Sequence, residues 1–316
     1  MINLRNRRIL VTGGNGFLGR VIVDKLREKE AIVLSPRSSE MNLMDIVDTF
    51  IYFYRNKPDI VIHSAAYYGG LGINSTYPAD IFFKNTIMYA NLFEACKNYW
   101  VDRVLCVGTA CSYPDGLKTL REEDLWKGPV HKSVQNYGCV KKMMQIGLEA
   151  YKKQYGLDGF MVLLANLYGP GDSYNPERSH VVAALIRKFV EAKRENKKSV
   201  EVWGSGRPIR EFLYVDDAAE GVIRALETYS DIEPLNIGTG QGCCISTLVD
   251  FIVEMTKYRG EVKWDSSKPD GQYEKIFDVK KLSEKLNWLP ETSLEIGLKK
   301  TIKWFEENYD VAIKKW

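Results

Sequence analysis

The sequence of 316 residues predicts a doubly wound α/β fold: a parallel sheet covered by helices, with a smaller C-terminal domain. Three observations carry that expectation. Short unbroken apolar runs alternate with stretches whose apolar residues recur every three and four positions, the pattern of strand-helix-strand units around a parallel sheet. The first run leads directly into glycines at positions 13, 16 and 19. Past Ala165 the alternation stops and turn-forming segments take over.

Taken in order, the predicted strands cover residues 8–12, 31–34, 59–63, 103–108 and 160–165. A parallel strand is buried on both faces and has no polar side to show, so it reads as a continuous apolar run. Between them, 16–30, 44–56, 79–99 and 137–155 have the spacing of helices that lay one face on the sheet. Gly169-Pro170-Gly171, Asn175-Pro176 and Gly204-Ser205-Gly206 then mark loops around a helix near 180–195. Residues 234–240 again read as a buried strand followed by a glycine turn, so the chain is expected to return to the first sheet. The expected division is 1–165, with a return near 212–245, for the first domain, and 166–211 with 246–316 for the second. No internal repeat interrupts this pattern.

Composition excludes several classes. With 45% hydrophobic and 27% charged residues the chain is neither disordered, collagen-like nor a coiled-coil rod. Its 44 basic and 41 acidic residues are scattered, leaving no basic footprint for nucleic acid; the pairs Lys197-Lys198, Lys299-Lys300 and Lys314-Lys315 read as solvated faces. Six cysteines form neither a Cys-x-x-Cys pair nor a zinc spacing, which predicts a reducing compartment and no metal site. The first strand begins too early for a signal peptide, and no apolar run approaches the roughly 20 residues of a membrane span, so a cytoplasmic protein is expected.

The chemistry starts at the glycines. Thr12-Gly13-Gly14-Asn15-Gly16-Phe17-Leu18-Gly19 follows the first strand and opens a helix. There, glycines permit a tight turn and close backbone approach, and the free N–H groups of the helix start suit a pyrophosphate, as in a Rossmann-type nucleotide site. At the end of the second strand, where an NAD site places a carboxylate, the sequence reads Ser35-Pro36-Arg37-Ser38. Arg37 suits a 2'-phosphate, which predicts NADP(H), or is a solvated loop residue. Asp45 contacts adenine or caps the next helix. Tyr137 and Lys141 stand four residues apart, hence on one helix face, and a neighbouring ammonium lowers a phenol's pKa toward the range useful for proton transfer.

With these features the chain resembles the extended short-chain dehydrogenase/reductase superfamily. The resemblance narrows to the GDP-L-fucose synthase family, the GDP-4-keto-6-deoxy-mannose 3,5-epimerase/4-reductases. It rests on Ala65-Ala66 through Gly69-Gly70 to Asn74, Cys111-Ser112-Tyr113-Pro114, Asn166-Leu167-Tyr168-Gly169-Pro170, Ser179-His180-Val181, Trp203-Gly204-Ser205-Gly206, Arg210 to Asp217, and Lys268-Pro269-Asp270-Gly271. The resemblance implies that Thr109, Tyr137 and Lys141 serve reduction at C4 and that Cys111 and His180 move protons in epimerisation. It implies NADP(H) held by Gly13, Asn15, Gly16, Phe17, Leu18, Gly19, Arg37, Ala65, Tyr137, Lys141, Asn166, Leu167 and His180. Lys188, Trp203, Arg210 and Asp270 become contacts to a GDP-sugar in a substrate-binding C-terminal domain, although Arg210 pairs equally well with Glu211 or Asp216. A homodimer through helices 79–99 and 137–155 is usual for the superfamily.

Other readings stay open at this level. Ala110-Cys111 lacks the Asp-Glu pair of the superfamily's dehydratases, so dehydration is not expected. Thr109-Ala110 stands in place of the two serines usual before the cysteine, and Gly138-Cys139 in place of an alanine-containing sequence. A C4-reductase-only or epimerase-only enzyme on a related GDP-4-keto sugar, such as a heptose, fits nearly the same residues. A non-catalytic dinucleotide sensor is opposed by the joint presence of Tyr137, Lys141 and Thr109. Asp216-Asp217 reads as helix capping, since adjacent helical residues face different ways. His63 and His131 have no assigned partner.

Overall fold

The computed structural model describes residues 1–69, 71–176, 178–268, 270 and 272–314. Of the motif positions above, Gly70, Pro269, Gly271 and Lys315 lie outside the described residues. The described strands are β1 (Arg8–Thr12), β2 (Ile32–Leu34), β3 (Ile60–His63), β4 (Arg103–Thr109), β5 (Thr119–Leu120), β6 (Gly159–Leu164), β7 (Asn166–Tyr168), β8 (Ser199–Trp203), β9 (Ile209–Tyr214), β10 (Leu235–Ile237), β11 (Gly242–Cys244), β12 (Glu261–Asp265) and β13 (Glu274–Phe277). The α-helices are α1 (Phe17–Glu28), α2 (Ile46–Asn56), α3 (Leu71–Thr76), α4 (Pro78–Asn98), α5 (Gln135–Tyr155), α6 (Val181–Arg194), α7 (Val215–Thr228), α8 (Ile245–Thr256), α9 (Lys280–Leu286), α10 (Leu294–Glu307) and α11 (Tyr309–Ala312).

Six of these strands form one parallel sheet in the order β10-β6-β4-β3-β1-β2. The winding reverses between β1 and β3, and the carboxyl ends of those two strands open the crevice in which such sheets hold ligands. Leu10, Val11, Val61, Ile62, Leu105 and Val162 are fully buried within the sheet, which is why these strands carry no polar alternation. β10 lies beside β6, with Asn236 in register with Leu163. A second sheet runs β11-β9-β13-β5, with β7 also paired to β9, and β8 pairs with β12. A second apolar cluster, including Tyr168, Tyr174, Phe189, Phe212 and Phe305, packs around α6, α8 and α10.

Helix ends follow local chemistry. Asp45 resolves into a cap: its carboxylate accepts from the backbone N–H groups of Val47 at 2.8 Å and Asp48 at 3.2 Å, and α2 starts one residue later. Pro78 opens α4, where its missing N–H costs nothing, and α5 ends at Gly156 in the left-handed conformation. The capping expected of Asp216 and Asp217 is corrected. Both fall inside the first turn of α7, past the cap position, and Asp217 instead accepts from the Thr292 N–H at 2.9 Å and hydroxyl at 3.1 Å.

Candidate active site

The glycine loop is fixed from three sides. Thr12 Oγ1 accepts the Ala65 N–H at 3.2 Å and bonds His63 Nδ1 at 2.8 Å, stitching the end of β1 to the chain leaving β3. Gly13 has φ +69°, and a Cβ on it would lie 2.9 Å from the Ala65 backbone. A Cβ on Gly19 would lie 2.0 Å from the Gly13 carbonyl oxygen, so the loop rests directly on the helix it opens. No side chain caps α1 at Gly16, and the first-turn N–H groups of Phe17, Leu18 and Gly19 have no partner within the helix. Asn15 donates to the Ser35 carbonyl at 3.1 Å, tying the loop to the end of β2. Two residues on, Arg37 is exposed and its guanidinium engages no carboxylate among the described residues.

Beyond β4 the chain turns sharply. Thr109 Oγ1 accepts the Cys111 N–H at 3.2 Å and caps the 3-10 turn Ala110–Ser112. Gly138 presses against that turn, so Tyr137, beside it on α5, is held next to half-buried Cys111. Burial pushes the Tyr137 phenol well up, and the neighbouring Cys111 and Tyr68 add to it.

This corrects the expectation that Lys141 lowers the phenol. Lys141 is buried, its ammonium donates to the Val107 carbonyl at 3.0 Å, and it stands 6.0 Å from the centre of the Tyr137 ring. Spent on that carbonyl, the ammonium is itself pulled down to about 8 by burial, partly offset by Cys106. Tyr137 is therefore protonated at neutral pH.

His180 precedes α6 with extended backbone and makes no side-chain capping bond. Burial lowers its pKa, leaving the imidazole neutral. Its ring lies against Tyr68, centroids 5.7 Å apart and planes 19° from parallel. Thus Cys111, Tyr137, Tyr68 and His180 form one neighbourhood at the carboxyl ends of β3 and β4. Asn166 and Leu167 lie on β7, with the Asn166 amide donating to the Glu211 carbonyl at 2.8 Å.

The remaining predicted residues form a second cluster. Trp203 is exposed, with Lys188 Nζ 5.4 Å and Lys268 Nζ 5.5 Å from its ring centre. Arg210 pairs with neither Glu211 nor Asp216; it donates to the carbonyls of Ile209 at 2.8 Å, Tyr273 at 3.3 Å and Asp270 at 3.3 Å. Its charge reaches both Asp270 and Cys111, linking the two clusters. The Asp270 carboxylate accepts from the Ser205 N–H and hydroxyl, each at 2.7 Å, which holds the glycine turn after Trp203 and lowers its pKa. A separate cavity of about 520 Å³, lined by residues including Phe212, Cys243, Cys244, Phe251 and Leu294, contains none of these residues.

The profile of the NAD dependent epimerase/dehydratase family matches residues 9–238, the span that carries the glycine loop, Tyr137, Lys141 and His180. The chain belongs to this family. A GDP-L-fucose synthase of Escherichia coli (strain K12) is 37% identical over 319 residues, covering 97% of this chain and 99% of that one. Among solved structures, a GDP-L-fucose synthetase from Naegleria fowleri bound to NADP superposes with a TM-score of 0.91 at 29% identity, covering 98% and 96% of the two chains. A GDP-6-OMe-4-keto-L-xylo-heptose reductase from C. jejuni gives 0.90 at 26% identity, covering 98% and 99%.

Within this family member, three residues take places the sequence reading did not assign: His63, named there without a partner, Glu211, named only as a partner for Arg210, and Tyr68, not singled out. His63 is buried against Thr12, and burial with the nearby Lys141 drives it down to about 3. Glu211 is buried, and its carboxylate accepts the N–H groups of Thr239, Gly240 at 3.1 Å and Phe277 at 2.7 Å, bracing β9, β13 and the turn after β10. Tyr68 had one visible signal, a pair of tyrosines four and five residues past a strand that ends at the crevice.

Proposed function

We propose that the chain is an NADPH-dependent 3,5-epimerase/4-reductase of a GDP-4-keto-6-deoxy sugar, forming GDP-L-fucose or a close analogue. What supports this reading is that Thr109, Cys111, Tyr137 and, through Tyr68, His180 stand near one another, with Lys141 buried behind Tyr137 on α5. The synthase from E. coli, similar over nearly its full length, supports the substrate class.

The residues fit a dinucleotide. A Cβ at Gly13 or Gly19 would fill the space into which the backbone closes, and the uncapped start of α1 presents N–H groups to a pyrophosphate. Gly13, Asn15, Gly16, Phe17, Leu18, Gly19, Ala65, Asn166 and Leu167 would hold it, with unpaired Arg37 toward a 2'-phosphate. When bound, the dinucleotide supplies the hydride.

The chain's own residues do the rest. Tyr137, protonated at neutral pH, gives its proton to the oxygen at C4 as negative charge develops there. Thr109 donates a hydrogen bond to the same oxygen, and Lys141 places a positive charge one helical turn below. His180, neutral through burial, accepts a proton from the carbon next to the ketone, and Cys111 is its counterpart for proton return on the opposite face of the ring. Trp203 with Lys188, Arg210 and Asp270 would take the nucleotide end, Lys188 and Arg210 bringing positive charge to the diphosphate.

A second reading is C4 reduction alone on a heptose, favoured by the likeness to the C. jejuni heptose reductase and by Ala110 and Gly138-Cys139 beside the site. Incubation with GDP-4-keto-6-deoxy-mannose and NADPH in heavy water separates the two. NADPH loss with deuterium at C3 and C5 is the expected result; loss without deuterium selects the reductase, and neither signal rejects this substrate. A Cys111→Ser variant that keeps full exchange would remove the cysteine from the reaction. We also propose a homodimer through α4 and α5, where Phe82, Phe83, Met143 and Ile146 are exposed, and a cytoplasmic location. No helix among the described residues is long and apolar enough to cross a membrane.

A further inference from the structure

We propose that Tyr68 is a positioning residue whose ring, laid against the His180 imidazole, fixes the direction in which that imidazole exchanges a proton with the sugar. The proposal rests on the reading of His180 as a proton-transfer group.

His180 needs such a device. Its side chain caps no helix and makes no hydrogen bond among the described residues. The torsion that turns an imidazole about its Cβ–Cγ bond is broad when nothing holds it. What lies against the ring is Tyr68, offset-stacked at 5.7 Å with planes 19° apart. The two residues arrive from different parts of the fold, Tyr68 from the chain after β3 and His180 from the start of α6. Tyr68 remains 39% exposed, and so covers the imidazole without sealing the site. It is also near enough to Tyr137 to add to the rise of that phenol's pKa. A base that must meet a proton on a defined face of a sugar ring loses rate steeply when its orientation is free, by as much as about 100-fold for a misplacement of about 1 Å.

The test compares Tyr68→Phe, which keeps the ring, with Tyr68→Leu, which removes it, in the full-length protein. The chain has three histidines, so a His180→Gln variant assigns the His180 ring signals by NMR. In the wild type and in Tyr68→Phe those signals should carry the ring-current shift of a stacked aromatic, and Tyr68→Leu should lose it. Deuterium exchange into GDP-4-keto-6-deoxy-mannose should follow: wild-type in Tyr68→Phe, and lower by about tenfold or more in kcat for Tyr68→Leu with KM and NADPH affinity unchanged. Unchanged NADPH affinity also shows that Tyr68→Leu is folded; should it not be, Tyr68→Met repeats the comparison. Full exchange in the ring-less variant, or equal loss in Tyr68→Phe, would overturn the proposal, the latter assigning the effect to the hydroxyl. If the wild type itself exchanges no deuterium, the failure belongs to the reading of His180, and is recognised before any variant is compared.

Discussion

Gly138 lies so close to Cys111 that a Cβ on it would sit 2.3 Å from the Cys111 carbonyl oxygen. The first turn of α5, which carries Tyr137, and the turn that carries Cys111 are therefore set against each other by backbone contact, with no side chain between them to give way. Gly138→Ala must displace one of the two. Overpacking of this kind costs about 1–3 kcal/mol. The variant should melt lower by calorimetry and turn over more slowly, with cofactor affinity retained; an unchanged Tm and turnover would show that the turn yields freely.

Arg37 stands exposed three residues past β2, and its guanidinium makes no ion pair among the described residues, the nearby Glu40 carboxylate accepting its backbone N–H instead. A charge-assisted hydrogen bond to a phosphate contributes about 1.5–3 kcal/mol, or about tenfold or more in affinity. Arg37→Ala should weaken NADPH binding by that factor and leave NADH binding nearly unaltered. Fluorescence titration with both dinucleotides checks this, and an equal loss for the two would move the 2'-phosphate contact elsewhere.

Acid should destabilise the protein through His63. The folded state holds this imidazole at about 3, against 6.5 for a free histidine, because burial and Lys141 both oppose its charge. Between those values the unfolded chain binds a proton that the native one refuses. The folded state therefore has its full advantage above pH 6.5 and loses it as the pH falls, by about 2–3 kcal/mol at pH 4.5. Denaturant midpoints at pH 7 and pH 4.5 should differ less in His63→Gln than in the wild type.

Glu211 holds two backbone N–H groups of the turn after β10 and a third on β13, at a site where burial raises its pKa. Glu211→Gln faces some of those donors with an amide NH₂ and should cost about 1–3 kcal/mol. Equilibrium unfolding measures the loss, and wild-type stability would mean that the turn finds other acceptors.

Much of the fold was legible because its signals are local. Ile9, Leu10 and Val11 report burial on both faces of a strand, and the glycines at 13, 16 and 19 report a turn that no side chain fits. The four-residue spacing of Tyr137 and Lys141 placed both on one side of α5. It did not reveal that the Lys141 ammonium turns to the Val107 carbonyl, since that partner comes from another strand.

What the sequence determined by itself, then, is the alternation of strands and helices in the first sheet, the glycine loop and the residue types available for chemistry, all set by interactions within a few positions along the chain. The tertiary structure alone decided the stack of Tyr68 on His180, the rise of the Tyr137 pKa and the brace formed by Glu211. Each depends on groups far apart in the chain and on how much water the fold removes from between them, and neither quantity is carried by local spacing.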